Sequence, residues 1–280
     1  MKLIGAALWS TLHVLILVAA LALGARAEET EPVSPDADFT VREITSALFK
    51  AKPGERLDYS HHDLTYLDLA GLDFKGAKLS HSDLYGTDLT DANLKGADLS
   101  HTRLNRAVLI HADLSGADLT GATIFRPTVY TDLRSDLADA PRFSGANMTG
   151  VRVMANLSGA DFRGANLTGA DFSPLEARPG QGTITSLMRN VLKSCDFSGA
   201  ALKGANFDRA DLTFARFVGA DLAGANLAKT DLSKVDLTGA DLTGADLTDA
   251  DLYGANLTGV KGLDTVTGLA TALNLDKATR

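Results

Sequence analysis

Three Ser-His pairs, Ser60-His61, Ser80-His81 and Ser100-His101, recur at intervals of twenty residues in a text whose apolar residues recur every five. Imidazole binds zinc and carries protons near neutral pH, so an aligned histidine column has to be weighed as a metal site. Aspartate is the second residue in nine of the first 14 five-residue units, counted from Leu57 to Arg126. Carboxylates in such numbers suggest calcium ligands or an acid–base pair for glycoside cleavage. Cys195 is the only thiol, and Arg189, Arg209 and Lys229 form a further series at the same interval of twenty.

What positions these residues is a repeat. Fourteen units run from LDYSH at Leu57 to ATIFR at Arg126, and fifteen more from TSLMR at Thr185 to ANLTG at Gly259. In all of them the third residue is apolar, and the first is mostly small. Neither a helix nor a plain strand has a period of five. Side chains alternate along extended backbone, so positions one and three face in and two and four face out. A turn at the fifth residue, usually Gly, resets the pattern once per unit. The twenty-residue recurrence of His61, His81 and His101, and of Gly199, Gly219, Gly239 and Gly259, then counts four units per coil, stacked about 4.8 Å apart as a square solenoid.

The ends and interruptions are legible as well. Residues 1–27 carry Lys2, a long apolar run and Ala25-Arg26-Ala27, the pattern of a secretory signal cut after Ala27; an uncleaved anchor is the alternative, and the only route to a membrane association. Residues 28–56 read as a linker and a capping helix at about Val41 to Lys50, with Thr40 and Glu43 at capping-box spacing and Phe39 placed to staple onto Ile44. The solenoid is expected over 57–263, with irregular segments near 127–140 and 174–184 looping from one continuous coil stack. All seven prolines lie outside the regular units, as backbone pairing between coils requires. Residues 264–280 leave the period, and Val266, Leu269 and Leu273 suggest one face of a closing helix. Caps at both ends would disfavour end-to-end polymerisation.

The units resemble the pentapeptide-repeat family, whose motif is A(D/N)LxX, over about three quarters of the chain. The resemblance implies an all-β fold, a right-handed quadrilateral parallel β-helix with four pentapeptides per coil, here with short helical caps. It implies little about function, because members of the family serve different roles.

Within that frame the bland readings come first. No aspartate pair is singled out for a shifted pKa, so the second-position carboxylates read as exposed polar residues, and Asp98→Ala is expected to cost little. Cys195 takes an inward first position with no histidine near it, and one cysteine makes no intrachain disulfide. A straight ladder spreads three imidazoles over about 9.6 Å, whereas zinc wants its nitrogens about 2.0 Å from one centre. The column therefore reads as structural stacking, with weak metal binding or none. Arg189, Arg209 and Lys229 are like charges about 4.8 Å apart with no evident structural need. They read as solvated corner residues or as a dock for an anionic partner.

No catalytic, cofactor or metal site is assigned. The candidate partner-binding residues are Arg189, Arg209, Lys229, His61, His81 and His101. Without Lys2 and Arg26 the exported chain has 25 basic against 35 acidic residues, a net of −10, which argues against nucleic-acid binding. The sequence is expected to encode a non-enzymatic scaffold, periplasmic or secreted, that binds an unidentified protein or envelope component. Acidic mimicry of DNA toward a topoisomerase is the alternative, disfavoured by the signal, and a polysaccharide-cleaving β-helix is less favoured still.

Overall fold

Each five-residue unit supplies one side of a coil, and the hydrogen bonds show why five residues suffice. The third-position amide donates to the second-position carbonyl one coil on (Leu79 N to Asp98 O, 2.8 Å or shorter throughout this column's start), and the second-position amide donates one coil back, as Lys78 N does to Leu57 O at 2.8 Å. The fifth-position amide donates to the fourth-position carbonyl of the next coil (His81 N to Ser100 O, 2.8 Å), while the next first-position amide closes a local turn, Ala77 N to Phe74 O at 2.9 Å. The first-, second-, third- and fifth-position amides are thus paired between neighbouring coils or at the corner, which leaves the fourth-position amide to a side chain. In the computed structural model, residues 37–130, 137–175 and 189–280 are described. The segment 1–27 expected to be a signal, most of the linker after it, residues 131–136 and 176–184 of the irregular segments, and the first four residues of TSLMR, Leu187 among them, lie outside these.

Four parallel ladders define faces A to D. Face A runs Asp58, Lys78, Asp98, Asp118, Asn147, Asn166, Ala201, Asp221, Asp241 and Lys261; faces B, C and D begin at Asp63, Asp68 and Asp73. The step along a ladder is twenty residues until Asp113 pairs with Arg142 and Asn156 with Val191. The irregular segments are therefore insertions between sides, the first between faces C and D and the second between B and C. Strands β1 (Thr123–Phe125) and β2 (Arg152–Met154) pair in parallel across the first of them on face B. The fold is a quadrilateral parallel β-helix.

First and third positions fill the interior. Ala77, Ala97, Leu79 and Leu99 are buried, and Phe143, Phe162, Phe197 and Phe217 stack on face D with ring centroids 5.0, 4.7 and 4.8 Å apart in turn. Stacked identical rings in register bury large area at little rotamer cost.

At the N-terminal end lies α1 (Val41–Lys50), with Thr40 and Glu43 forming the capping box. Its Ile44 and Leu48 are buried. Phe39 packs edge-on against Tyr59 and His62, at 5.4 and 4.8 Å. Lys75 Nζ donates to Leu48 O and Ala51 O at 2.8 and 3.2 Å, satisfying carbonyls that the helix end leaves open.

The C-terminal end corrects the expectation of a closing helix. Residues 261–280 make one more coil, with ladder residues Lys261, Thr267, Leu273 and Thr279 six apart instead of five, and only a 3₁₀ turn at Leu275–Lys277. Gly262, Gly268 and Asn274 take left-handed φ of 70°, 72° and 56° at its corners. A Cβ on Gly262 or Gly268 would collide with the Thr243 or Thr248 backbone; of the residues that suggested a helix face, Val266 and Leu269 pack inward from six-residue sides, whereas Leu273 is an exposed ladder residue.

Candidate functional site

The outward chemistry lies on the ladders and at the corners. Second-position aspartates do more than face solvent: Asp58 Oδ1 accepts the Ser60 amide at 3.0 Å, and Asp98 Oδ1 accepts both the amide and the hydroxyl of Ser100, at 3.1 and 2.7 Å. The same Asx turn recurs at Asp241 and Asp246 with Thr243 and Thr248. The Thr243 and Thr248 hydroxyls, then their amides, hold these two carboxyls below the ordinary carboxylate value. Asp98 is therefore a turn clasp, which corrects the reading that its loss costs little.

Fifth positions take left-handed φ, and their side chains project from the corners. One corner, between faces D and A, is glycine from Gly76 through Gly96, Gly116, Gly145, Gly164 and Gly199 to Gly259. The corner between A and B begins with the histidine column. His61 stacks on His81 and His81 on His101, each at 4.8 Å, with ring planes 4° and 15° apart. Ser60 and Ser80 hydroxyls meet beside them at 3.1 Å. Parallel rings at that separation hold equivalent nitrogens about one coil step apart, too far for two of them to reach one zinc at about 2.0 Å in a tetrahedral shell. The next residue in the column is Gly121, where a Cβ would stand 2.7 Å from His101 Nδ1, so the glycine makes room for the last ring.

The corner between B and C holds the cations. Arg189, Arg209 and Lys229 stand two residues before the face C ladder residues Val191, Asp211 and Asp231, and Tyr66, Arg106 and Arg126 hold the equivalent places before Asp68, Val108 and Thr128. The insertions hid from sequence reasoning that Arg106 and Arg126 share the corner; the fifth positions of TRLNR and ATIFR were the available signal. Arg189 has a structural task that corrects its reading as an idle charge: its Nη2 lies 3.0 Å from Asp211 Oδ2, with Lys193 Nζ at 3.3 Å, and Asp211 is buried. A buried carboxylate without such partners would be costly. Arg209 lies 3.6 Å from Asp208, and Lys229 has no acidic partner among the described residues. Arg103 and Arg106 cover the Tyr85 ring at 4.8 and 5.8 Å.

Cys195 is buried, donates its Sγ–H to Leu157 O at 3.1 Å, and is pushed up by burial to about 12. A thiol in that state is packing, not a nucleophile.

A family model for pentapeptide repeats matches the chain in eight copies, over residues 63–96, 87–124, 155–173, 191–227 and 220–259. The chain belongs to the pentapeptide-repeat family. Similar solved structures include HetL from the cyanobacterium Nostoc sp. strain PCC 7120, a pentapeptide repeat protein involved in regulating heterocyst differentiation, at 30% identity over 86% of this chain and 94% of that one, with a TM-score of 0.33. A pentapeptide repeat protein of the Arabidopsis thaliana thylakoid lumen is 36% identical over 38% of this chain and 66% of its own, with a TM-score of 0.28. QnrB1, a plasmid-mediated fluoroquinolone resistance protein, is 24% identical over 77% and 94%, with a TM-score of 0.36. No curated protein matches the chain.

Proposed function

We propose that this chain is an exported, non-enzymatic scaffold that presents the sides of its solenoid to another component of the cell envelope. The observation that carries this reading is the employment of its carboxylates. Asp58, Asp98, Asp241 and Asp246 are engaged in turns of their own coils, so the aspartate series is accounted for by folding and needs no reaction to explain it. What remains outward is a rigid set of ladders and one cationic corner, which suits recognition more than turnover. Export is read from the apolar run ending at Ala25-Arg26-Ala27.

Cell fractionation with N-terminal sequencing tests the reading: mature protein beginning at Glu28 in the envelope contents supports it. Soluble cytoplasmic protein that keeps Met1 overturns export and returns acidic mimicry of DNA to first place. Proximity labelling from the exported chain would then name its partner.

A further inference from the structure

The first insertion returns to the stack beside a histidine that the repeat does not require. His111 stands at the corner between faces C and D, two residues before the face D ladder residue Asp113, as Asp91 stands before Asn93 and Gly159 before Asp161. Its φ is left-handed, at 55°. His111 Nδ1 lies 3.0 Å from Asp91 Oδ1, one coil before, and Nε2 lies 3.1 Å from Asp139 Oδ1, in the 3₁₀ turn Leu137–Asp139 that ends the insertion. The His111 amide donates to Asp139 O at 2.8 Å, so ring and backbone hold the same residue. Leu137 of that turn sits on Gly159, where a Cβ would meet it at 2.9 Å.

Two carboxylates need two donors. An ionised carboxylate only accepts and a neutral imidazole has one N–H, so a neutral ring sets one oxygen against a bare nitrogen. The imidazolium donates from both nitrogens, and a charged donor makes the stronger bond. Asp139 is buried, which raises the cost of neutralising a cation beside it. The other described histidines make no such demand. His62 meets one carboxylate, that of Asp38, through Nδ1 alone, which a neutral ring satisfies, and His61, His81 and His101 stack on one another. The charged groups facing the His111 ring are Asp91 from the preceding coil and Asp139 from the insertion; Asp113, next on face D, is engaged by Lys95 and Arg142. Near the start of the insertion a neutral group does the fastening: the Tyr130 hydroxyl lies 3.1 Å from both Asn156 Oδ1 and Ser158 O.

We infer that His111 is a pH-operated latch on the end of the first insertion. As an imidazolium it ties the turn Leu137–Asp139 to the second and third coils. When the ring loses its proton one carboxylate contact is lost, and the turn loosens from the corner while the Tyr130 end stays fastened. Imidazole changes charge between about pH 5 and 8, so the latch is closed at the acid end of that range and open at the alkaline end. The surface that changes is the corner around Gly159, so what the solenoid presents there follows the pH of its surroundings. The inference goes beyond the scaffold reading and does not depend on where the protein resides.

Hydrogen exchange of the purified protein tests it, read as protection relative to each amide's intrinsic rate at about pH 5.5 and about pH 8. The amides of His111 and Ala140, which donate to Asp139 O and Leu137 O, should lose protection at least about tenfold at the higher pH. The Gly116 amide, which donates to Ser144 O from another corner of the same coil, should not change. His111→Gln has no ring to protonate and should leave both amides weakly protected at both pH values. Asp91→Asn supplies a side chain that can donate to a bare ring nitrogen, so protection should persist at the higher pH. Equal protection at both pH values in the unaltered protein, or a pH dependence that survives in His111→Gln or in Asp91→Asn, overturns the inference. None of these readouts bears on export, so a failure here leaves that reading standing.

Discussion

The two ends of the solenoid solve one problem by different means. At the N-terminal end α1 covers the first coil, and the units there carry Leu57, Leu67 and Leu72 at first positions where most later coils have smaller residues, alanine above all. Those larger residues are partly buried against the core cluster to which Ile44 and Leu48 of α1, 1% and 4% exposed, belong. At the C-terminal end nothing among the described residues covers the last coil. Val266, Leu269 and Leu275 pack against the core but stay only partly buried, around a concavity of about 710 Å³ lined by Leu269, Ala272, Leu275 and Ala278. An added element brings its own apolar face and buries both surfaces; an enlarged coil only moves the open end along by one layer. The difference teaches that stability should fall toward the C-terminus, because an edge with half its apolar contacts opens first.

Charge buried at three places measures this. Leu99→Asp, in the middle of the stack, and Ile44→Asp, under the helix, should each cost several kcal/mol in chemical denaturation. Leu269→Asp should cost about 1 kcal/mol, since its side chain can keep water. Equal losses for Ile44→Asp and Leu269→Asp would break the comparison. Hydrogen exchange sharpens it: amides of residues 261–280 should exchange before those of the first coil.

The smaller effects lie in the helix itself. Thr40→Ala removes the hydroxyl that accepts the Glu43 amide at 3.2 Å and should cost about 1 kcal/mol. Lys75→Met leaves the Leu48 and Ala51 carbonyls without the ammonium and should cost about 0.5 kcal/mol. Thermal melting of the two variants, with the C-terminal coil unchanged in exchange, would place both losses at the covered end.

Acidification acts on the stack as a whole. Asp58, held below the ordinary value first by the Ser60 amide, and Asp241 and Asp246, held there first by the Thr243 and Thr248 hydroxyls, have folded pKa values lower than unfolded ones. Their contribution is present above the unfolded pKa of about 3.9 and is lost as pH falls through the folded values. Melting temperature should therefore hold near neutrality and decline below about pH 4, and Asp98→Ala should lower the neutral value by removing one clasp. A flat profile to lower pH would show that the turns do not depend on ionised carboxylates.

Contacts within a unit, and between units at constant spacing, were determined by the text alone. The period of five fixed which residues face in, and the twenty-residue interval of His61, His81 and His101 fixed four sides per coil, because both depend only on local backbone geometry repeated without change. The tertiary structure decided what repetition does not control. The second-position carboxylates became turn clasps because the turn points the amide and hydroxyl of the residue two positions on back at them, a direction no letter of the motif encodes. Arg106 and Arg126 joined Arg189, Arg209 and Lys229 on one corner only after the insertions were folded out, since a column survives an inserted loop in space and loses its interval in sequence. The last coil took six-residue sides because backbone pairing to the coil above outweighed the helical spacing of Val266, Leu269 and Leu273.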